Sequence, residues 1–158
     1  MDLLSFMKKV IKEVGGKETA LCDGFQFTIE KWKDLKKKSK TAGNGVIYAF
    51  AVKLEEDKMK DLINEANKLE TLNEGSEKNK AIFEDYYLLY WGKSTDIIGR
   101  GQAHVIGHKN GNLHLNFYEC LKDCPIEYAF VYVENYKEIE DGLIEKYPPM
   151  LKTFSDGK

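Results

Sequence analysis

Apolar positions along the chain recur with two different periods, and the switches between them mark out the elements. Leu3, Leu4, Met7, Ile11 and Val14 follow helical spacing until Gly15 and Gly16 interrupt it, which predicts a first helix. Asp23-Gly24, set between Ala20-Leu21-Cys22 and the run Phe25 to Ile29, has the form of a tight two-residue hairpin turn. Ile29, Trp32 and Leu35 then suit a short basic helix that ends near Gly43-Asn44-Gly45. Val46 to Val52 is apolar on both alternating faces, the pattern of a central strand buried on two sides. Met59, Leu62, Ile63, Ala66 and Leu69 form one stripe in a highly charged segment, hence an amphipathic helix, with a polar loop over Asn73 to Lys80. Tyr86 to Trp91 reads as a second buried strand closed by Gly92, and Ser94 or Thr95 can cap a helix running towards Gly107. Glu127 to Val133 is a third strand. Asn135 with Glu138 has the spacing of a capping box that opens a last helix, stopped by Pro148-Pro149.

Composition narrows the class. A chain of 158 residues, 42% apolar and 12% aromatic, fits one globular domain. No apolar run approaches the ~18 to 20 residues of a membrane span. The opening Met1-Asp2-Leu3-Leu4 puts its lysines after the apolar residues, the reverse of a secretory leader, so a cytoplasmic protein without membrane association is expected. Cys22, Cys120 and Cys124 are odd in number and scattered, as suits a reducing compartment. Cys120 and Cys124 lack the second ligand pair of a structural zinc site. Net charge is only −2, but residues 1–50 hold ten lysines against six acids. The cluster Lys31, Lys33, Lys36, Lys37, Lys38 and Lys40 suits either a phosphate backbone or a solvated helix face.

Candidate chemistry gathers in the second half. Arg100 is the only arginine among 24 basic residues. Its planar fork can meet two phosphate oxygens at once, or anchor a structural ion pair. Gly99 and Gly101 flank it, which either lets a phosphate approach or kinks a helix. The three histidines, His104, His108 and His114, fall within eleven residues. On a helix Arg100, His104 and His108 would share a face. Of the carboxylates in the last helix, Glu140 falls inside the stripe of Tyr136, Ile139, Leu143 and Tyr147, while Glu138 and Glu145 point away. A carboxylate placed there needs a cation or strong donors, and a hard oxygen ligand suits Mg²⁺ or Mn²⁺.

Taken in order, these residues resemble a known family. Gly45-Val46-Ile47-Tyr48 looks like the first signature of the GIY-YIG nucleases, and Tyr90-Trp91-Gly92-Lys93-Ser94 resembles the second. Arg100 and His104 follow at the family's spacings, and Glu140-Asp141-Gly142-Leu143-Ile144 looks like its Glu-x-x-Leu-Ile. The resemblance covers residues 45–152. About forty residues separate Tyr48 from Tyr90, where the family has a short hairpin, so 54–84 reads as an insertion with its own helix. Trp91 stands for the usual isoleucine, and Lys152 for an asparagine.

The resemblance implies an α+β fold with a small antiparallel three-stranded sheet flanked by helices; residues 1–44 lie outside it, and their own pattern makes them an N-terminal helix and hairpin extension. The resemblance also implies a metal-dependent endonuclease hydrolysing phosphodiester bonds in DNA. Tyr48 would be general base or water-orienting group, Tyr90 would assist, Arg100 would clamp the phosphate, and Glu140 would hold Mg²⁺ or Mn²⁺. His104 would orient a phenol or shuttle a proton, and Lys93 and Lys152 would contact substrate. A phenol of pKa ~10 is a poor base at neutrality, and correcting this asks ~4 kcal/mol of nearby positive charge; Lys93, Arg100 and the metal are the sources. A binding module that lost turnover, a nuclease acting on RNA or branched DNA, and a coincidental motif in a structural protein are the alternatives.

Overall fold

The computed structural model describes residues 1–31, 45–75, 81–94, 104–105 and 112–153. Four strands form one antiparallel sheet: β1 (Glu18–Phe27), β2 (Val46–Lys53), β3 (Tyr86–Ser94) and β4 (Ile126–Val133), in the order β1-β4-β2-β3. Among the described residues they are accompanied by the helices α1 (Leu3–Glu13), α2 (Glu56–Lys68) and α3 (Tyr136–Lys146). The fold is mixed α+β, as expected, with one strand more in its sheet than the three that were anticipated.

That extra strand takes the place of the expected hairpin, which does not form. Asp23 and Gly24 lie mid-strand in β1, opposite Phe130 and Ala129 of β4. Helix packing explains the glycine better than a turn does. A Cβ on Gly24 would stand 3.1 Å from Leu4 Cβ and 3.2 Å from Ala129 Cβ, so its bareness lets α1 settle closely onto the sheet. Asp2 caps α1, its carboxylate accepting the Ser5 N–H at 2.8 Å. Of the basic helix expected after Ile29, only the 3-10 turn Ile29–Lys31 is described; the other lysines of that cluster lie outside the described residues, as do the loop tip 76–80 and most of the helix expected after Ser94.

Alternation along the strands separates two cores. Ile47, Ala49 and Ala51 of β2, with Trp91 of β3 and Ala129, Val131 and Val133 of β4, face α1 and α3. Val46, Tyr48, Phe50 and Val52, with Tyr128, Phe130 and Tyr132, face the other way. Leu62 and Ala66 of α2, the 3-10 turns Leu115–Phe117 and Glu119–Leu121, and Met150 and Leu151 cover this second face. The apolar stripe of α2 therefore docks as expected. Glu65 fixes it further, its carboxylate accepting the Cys120 N–H at 3.2 Å.

Two boundary expectations need correction. Gly92 does not close β3, which continues through Ser94. Asn135 makes no side-chain cap bond to α3. Its amide ties two distant turns instead, accepting the Lys17 N–H at 2.8 Å and donating to the Gly15 carbonyl at 3.0 Å. No helix among the described residues is long and apolar enough to cross a membrane.

Candidate functional site

Strand β2 carries Tyr48 to the centre of the sheet, between Phe130 of β4 and Gly92 of β3. The phenol leans across Gly92: a Cβ there would coincide with the ring of Tyr48. Gly45 plays the same part for Tyr136, whose ring fills the space of its missing side chain. Both motif glycines are thus seats for tyrosine rings. A bulge adjoins the first seat, where the pairing of β2 with β3 shifts between Phe50 and Ala51 and leaves Leu89 as the extra residue. Bulges of this kind re-aim side chains, and here Tyr90 lands on the Tyr48 side of the sheet, packed against that core.

Over these two phenols sits His104. Its Nε2 is 2.8 Å from Tyr48 Oη, and its ring lies 4.8 Å from that of Tyr90. The opposite ring nitrogen fixes the tautomer. Nδ1 accepts the Leu113 backbone N–H at 3.1 Å, so it holds a lone pair, the imidazole is neutral, and the proton is on Nε2. His104 therefore donates to the phenol oxygen, an arrangement that orients Tyr48 and favours negative charge on it. In this tautomer Nε2 cannot take the phenol's proton. Tyr48 is 1% exposed and His104 0%, so the pair is enclosed.

No protein-family model, curated protein or solved structure matches this chain.

One step along β3 from Gly92, on the opposite side of the pleat, Lys93 reaches Glu140 of α3 at 3.6 Å. Glu140 is half-buried whereas Glu138 and Glu145 are exposed, the distinction that helical spacing anticipated. Burial pushes the Glu140 carboxyl above its usual range, and Lys93 offsets this in part. The two clusters are distinct: Tyr48, Tyr90 and His104 lie on one face, and Lys93 with Glu140 on the side of α3. They share the Gly92–Lys93 step, a Cα separation of ~3.8 Å. Lys93 is engaged by Glu140 and is not a spare charge beside the phenol.

Arg100 and His108 lie outside the described residues. His114 is separate from the pair, stacked on Phe117 with its backbone in the left-handed region at φ 51°. Lys152 is exposed at the chain's C-terminal segment, its N–H donating to the Thr71 carbonyl at 2.9 Å. Trp91 points to the α1 side and donates to the Tyr147 carbonyl at 2.9 Å. Among the described residues no three His, Cys, Asp or Glu side chains gather to hold a metal. Desolvation, with Glu65 beside it, pushes the Cys120 thiol up to about 12, which makes it a poor thiolate donor.

One residue of the tyrosine face escaped sequence reasoning. Tyr128 of β4 is fully buried, its ring 6.0 Å from that of Tyr48 and 4.8 Å from that of Phe50, and its hydroxyl has no hydrogen-bond partner among the described residues. Such an orphan costs about 1 to 3 kcal/mol. The signal was present: Tyr128, Phe130 and Tyr132 alternate, which puts three aromatic rings on one face.

Proposed function

We propose that this chain is a metal-dependent nuclease of the GIY-YIG kind that hydrolyses phosphodiester bonds in DNA. The observation that carries the reading is the buried hydrogen bond from His104 Nε2 to Tyr48 Oη, 2.8 Å, with the tautomer set by the Leu113 N–H. A donor aimed at a phenol oxygen favours its ionised form, and the phenolate is the form that can accept a proton from water. Tyr48 is the general base or water-orienting group, Tyr90 packs beside it, and His104 orients the phenol and shuttles no proton through Nε2. Arg100 is assigned the phosphate clamp from its sequence position, with Lys93 and Lys152 as further substrate contacts.

Glu140 is the proposed metal ligand. Its carboxyl is half-desolvated and only partly compensated by Lys93 at 3.6 Å, which fits Mg²⁺ or Mn²⁺ bound through one carboxylate and otherwise by water. A cage of three protein ligands does not fit the described residues. When bound, the ion would supply Lewis-acid stabilisation of charge on the phosphate.

The enclosure of Tyr48 and His104 favours a second reading, a nucleic-acid-binding module of the same fold without turnover, because water and phosphate reach the phenol only if the cover opens. Nicking of supercoiled plasmid with Mg²⁺ separates the two when run beside Tyr48→Phe and Glu140→Ala. Nicking by the wild type, lost in both variants, is the expected result. Retained DNA binding in Ca²⁺ with no nicking selects the binding module, and cleavage confined to RNA or branched DNA reassigns the substrate.

A further inference from the structure

We propose that the cleft at the Gly45 end of the sheet is a base-reading subsite that takes an unpaired guanine, with the Glu134 carboxylate as its acceptor. The inference deepens the nuclease reading and rests on it: the guanine belongs to a nucleotide beside the phosphate held near Glu140.

Strand β1 shapes the cleft. Glu18 pairs with Val133 and Cys22 with Val131, so Thr19, Ala20 and Leu21 span the single residue Tyr132 of β4, a bulge that bends the strand. Thr19 Oγ1 secures it by accepting the Leu21 N–H at 3.3 Å. Beside the bulge lies a cavity of about 410 Å³ lined by Thr19, Gly45, Val133, Glu134 and Tyr136, within the ~300 to 1,000 Å³ of small-molecule sites. The Tyr136 ring occupies the side-chain space of Gly45 and gives the cavity an aromatic wall. Position in the fold ties this cavity to the proposed chemistry. Glu140 follows Tyr136 by one turn on the same face of α3, about 6 Å along the axis. Val46, next to Gly45, pairs with Ser94, next to Lys93.

The polar groups decide the occupant. Glu134 is exposed, and neither its carboxylate nor the Tyr136 hydroxyl has a protein partner among the described residues. A carboxylate only accepts hydrogen bonds and repels phosphate, so what it meets is a base edge that carries N–H donors. Guanine presents two adjacent donors on its pairing edge, N1–H and the 2-amino group, where the other DNA bases present one. Two carboxylate oxygens meet that pair in parallel. In a duplex those donors are already occupied, so the guanine is unpaired, and unpaired bases are read by aromatic stacking together with hydrogen bonds to this edge. Lys137 is exposed, with its ammonium 5.9 Å from the centre of the Tyr136 ring. That loose contact yields to the base, and the charge then meets the base's own phosphate.

The test is binding by the full chain, in Ca²⁺, of single-stranded oligothymidines that carry either one guanine or one hypoxanthine, which lacks the 2-amino group. The wild type should bind the guanine strand about 10-fold more tightly. Glu134→Gln replaces two acceptors by one acceptor and one donor and should remove that preference, with the melting temperature near that of the wild type because the side chain is exposed. Equal affinity of the wild type for the two strands, or a preference that survives Glu134→Gln, overturns the proposal. Should the wild type bind no strand at all, the nucleic-acid reading fails on its own, and titration with guanosine monophosphate, followed through the Gly45 and Val133 amide signals by NMR, decides this one. Shifts that saturate in the wild type and vanish in Glu134→Gln uphold the guanine site, and any other pattern overturns it.

Discussion

The same three strands present two unlike faces. Towards α1 and α3 they show Ile47, Ala49, Ala51, Ala129 and Val131, side chains without polar atoms that pack on Leu3, Met7, Val10, Ile11, Ile139 and Leu143. Towards α2 they show Tyr48, Tyr90, Tyr128 and Tyr132, with His104 laid over the first two. The aliphatic face does what burial alone demands. The tyrosine face carries hydroxyls and a ring nitrogen into the interior, where each needs a partner or a reason. Stability and chemistry are thus divided by the pleat, and substitutions on the two faces should fail in different ways.

The largest expected effect is on the tyrosine face. Tyr48→Phe removes the proposed reacting oxygen and should lower single-turnover cleavage by ~10² to 10⁴. It also leaves the His104 Nε2–H without its acceptor, at a cost of about 1 to 3 kcal/mol. If cleavage survives within a few-fold, Tyr48 is structural. The matching change across the sheet is Leu143→Ala. Leu143 is fully buried between α3 and the aliphatic face, and its truncation should cost about 2 to 5 kcal/mol while cleavage per folded molecule stays near wild type. Urea unfolding and an active-fraction assay read both quantities. A core variant that lost activity while remaining folded would erase the division between the faces.

How much of this was legible beforehand varies by element, and the reasons are physical. The two-sided strand at Val46, the stripe of α2 and the placement of Glu140 follow from periodicity, because burial leaves its period in the sequence. Asp23-Gly24 misled because the same dipeptide serves a turn and a close helix approach, and only the position of Leu4 against Gly24 distinguishes them. Asn135 misled for a similar reason: its amide met Lys17 and Gly15, partners more than a hundred residues away. That His104 would meet a phenol was expected only through the family resemblance, and that the phenol is Tyr48 was not legible, since no local pattern joins residues 56 apart. The tautomer needed the Leu113 N–H, a backbone group that sequence does not single out.

Gly92→Ala sharpens the comparison at the point where the two faces meet. A Cβ at this position would occupy the space of the Tyr48 ring, so the phenol or β3 must shift. Overpacking of this kind costs about 1 to 3 kcal/mol. A displaced phenol would also lose its 2.8 Å bond to His104, so cleavage should fall well beyond what the lost stability explains. Gly45→Ala makes the control, because its clash is with Tyr136 and not with Tyr48. Equal loss of activity in the two variants, at equal stability, would show that the seat under Tyr48 has no special role.

The smallest expected effect concerns Glu140 and pH. Desolvation raises its carboxyl above the ordinary value of 4.5, and Lys93 pulls it back only in part. The folded chain therefore holds that proton more tightly than the unfolded chain. Stability contributed by the protonated form is present at pH below 4.5 and is lost as pH rises through the raised folded value. Glu140→Gln keeps the shape and cannot ionise, so above that interval it should be as stable as the wild type or slightly more so. The gain is small, because the side chain keeps partial access to water and loses its Lys93 partner at 3.6 Å. Below pH 4.5 the two proteins should converge. Melting curves in Mg²⁺-free buffer from about pH 4 to 8 test this, and a glutamine variant less stable at neutral pH would mean that the Lys93 pair outweighs desolvation. Added Mg²⁺ sharpens the contrast between the α3 edge and the rest of the aliphatic face. An ion bound through Glu140 should raise the wild-type melting temperature and leave that of Glu140→Gln unmoved, and equal shifts in both would remove Glu140 from any metal site.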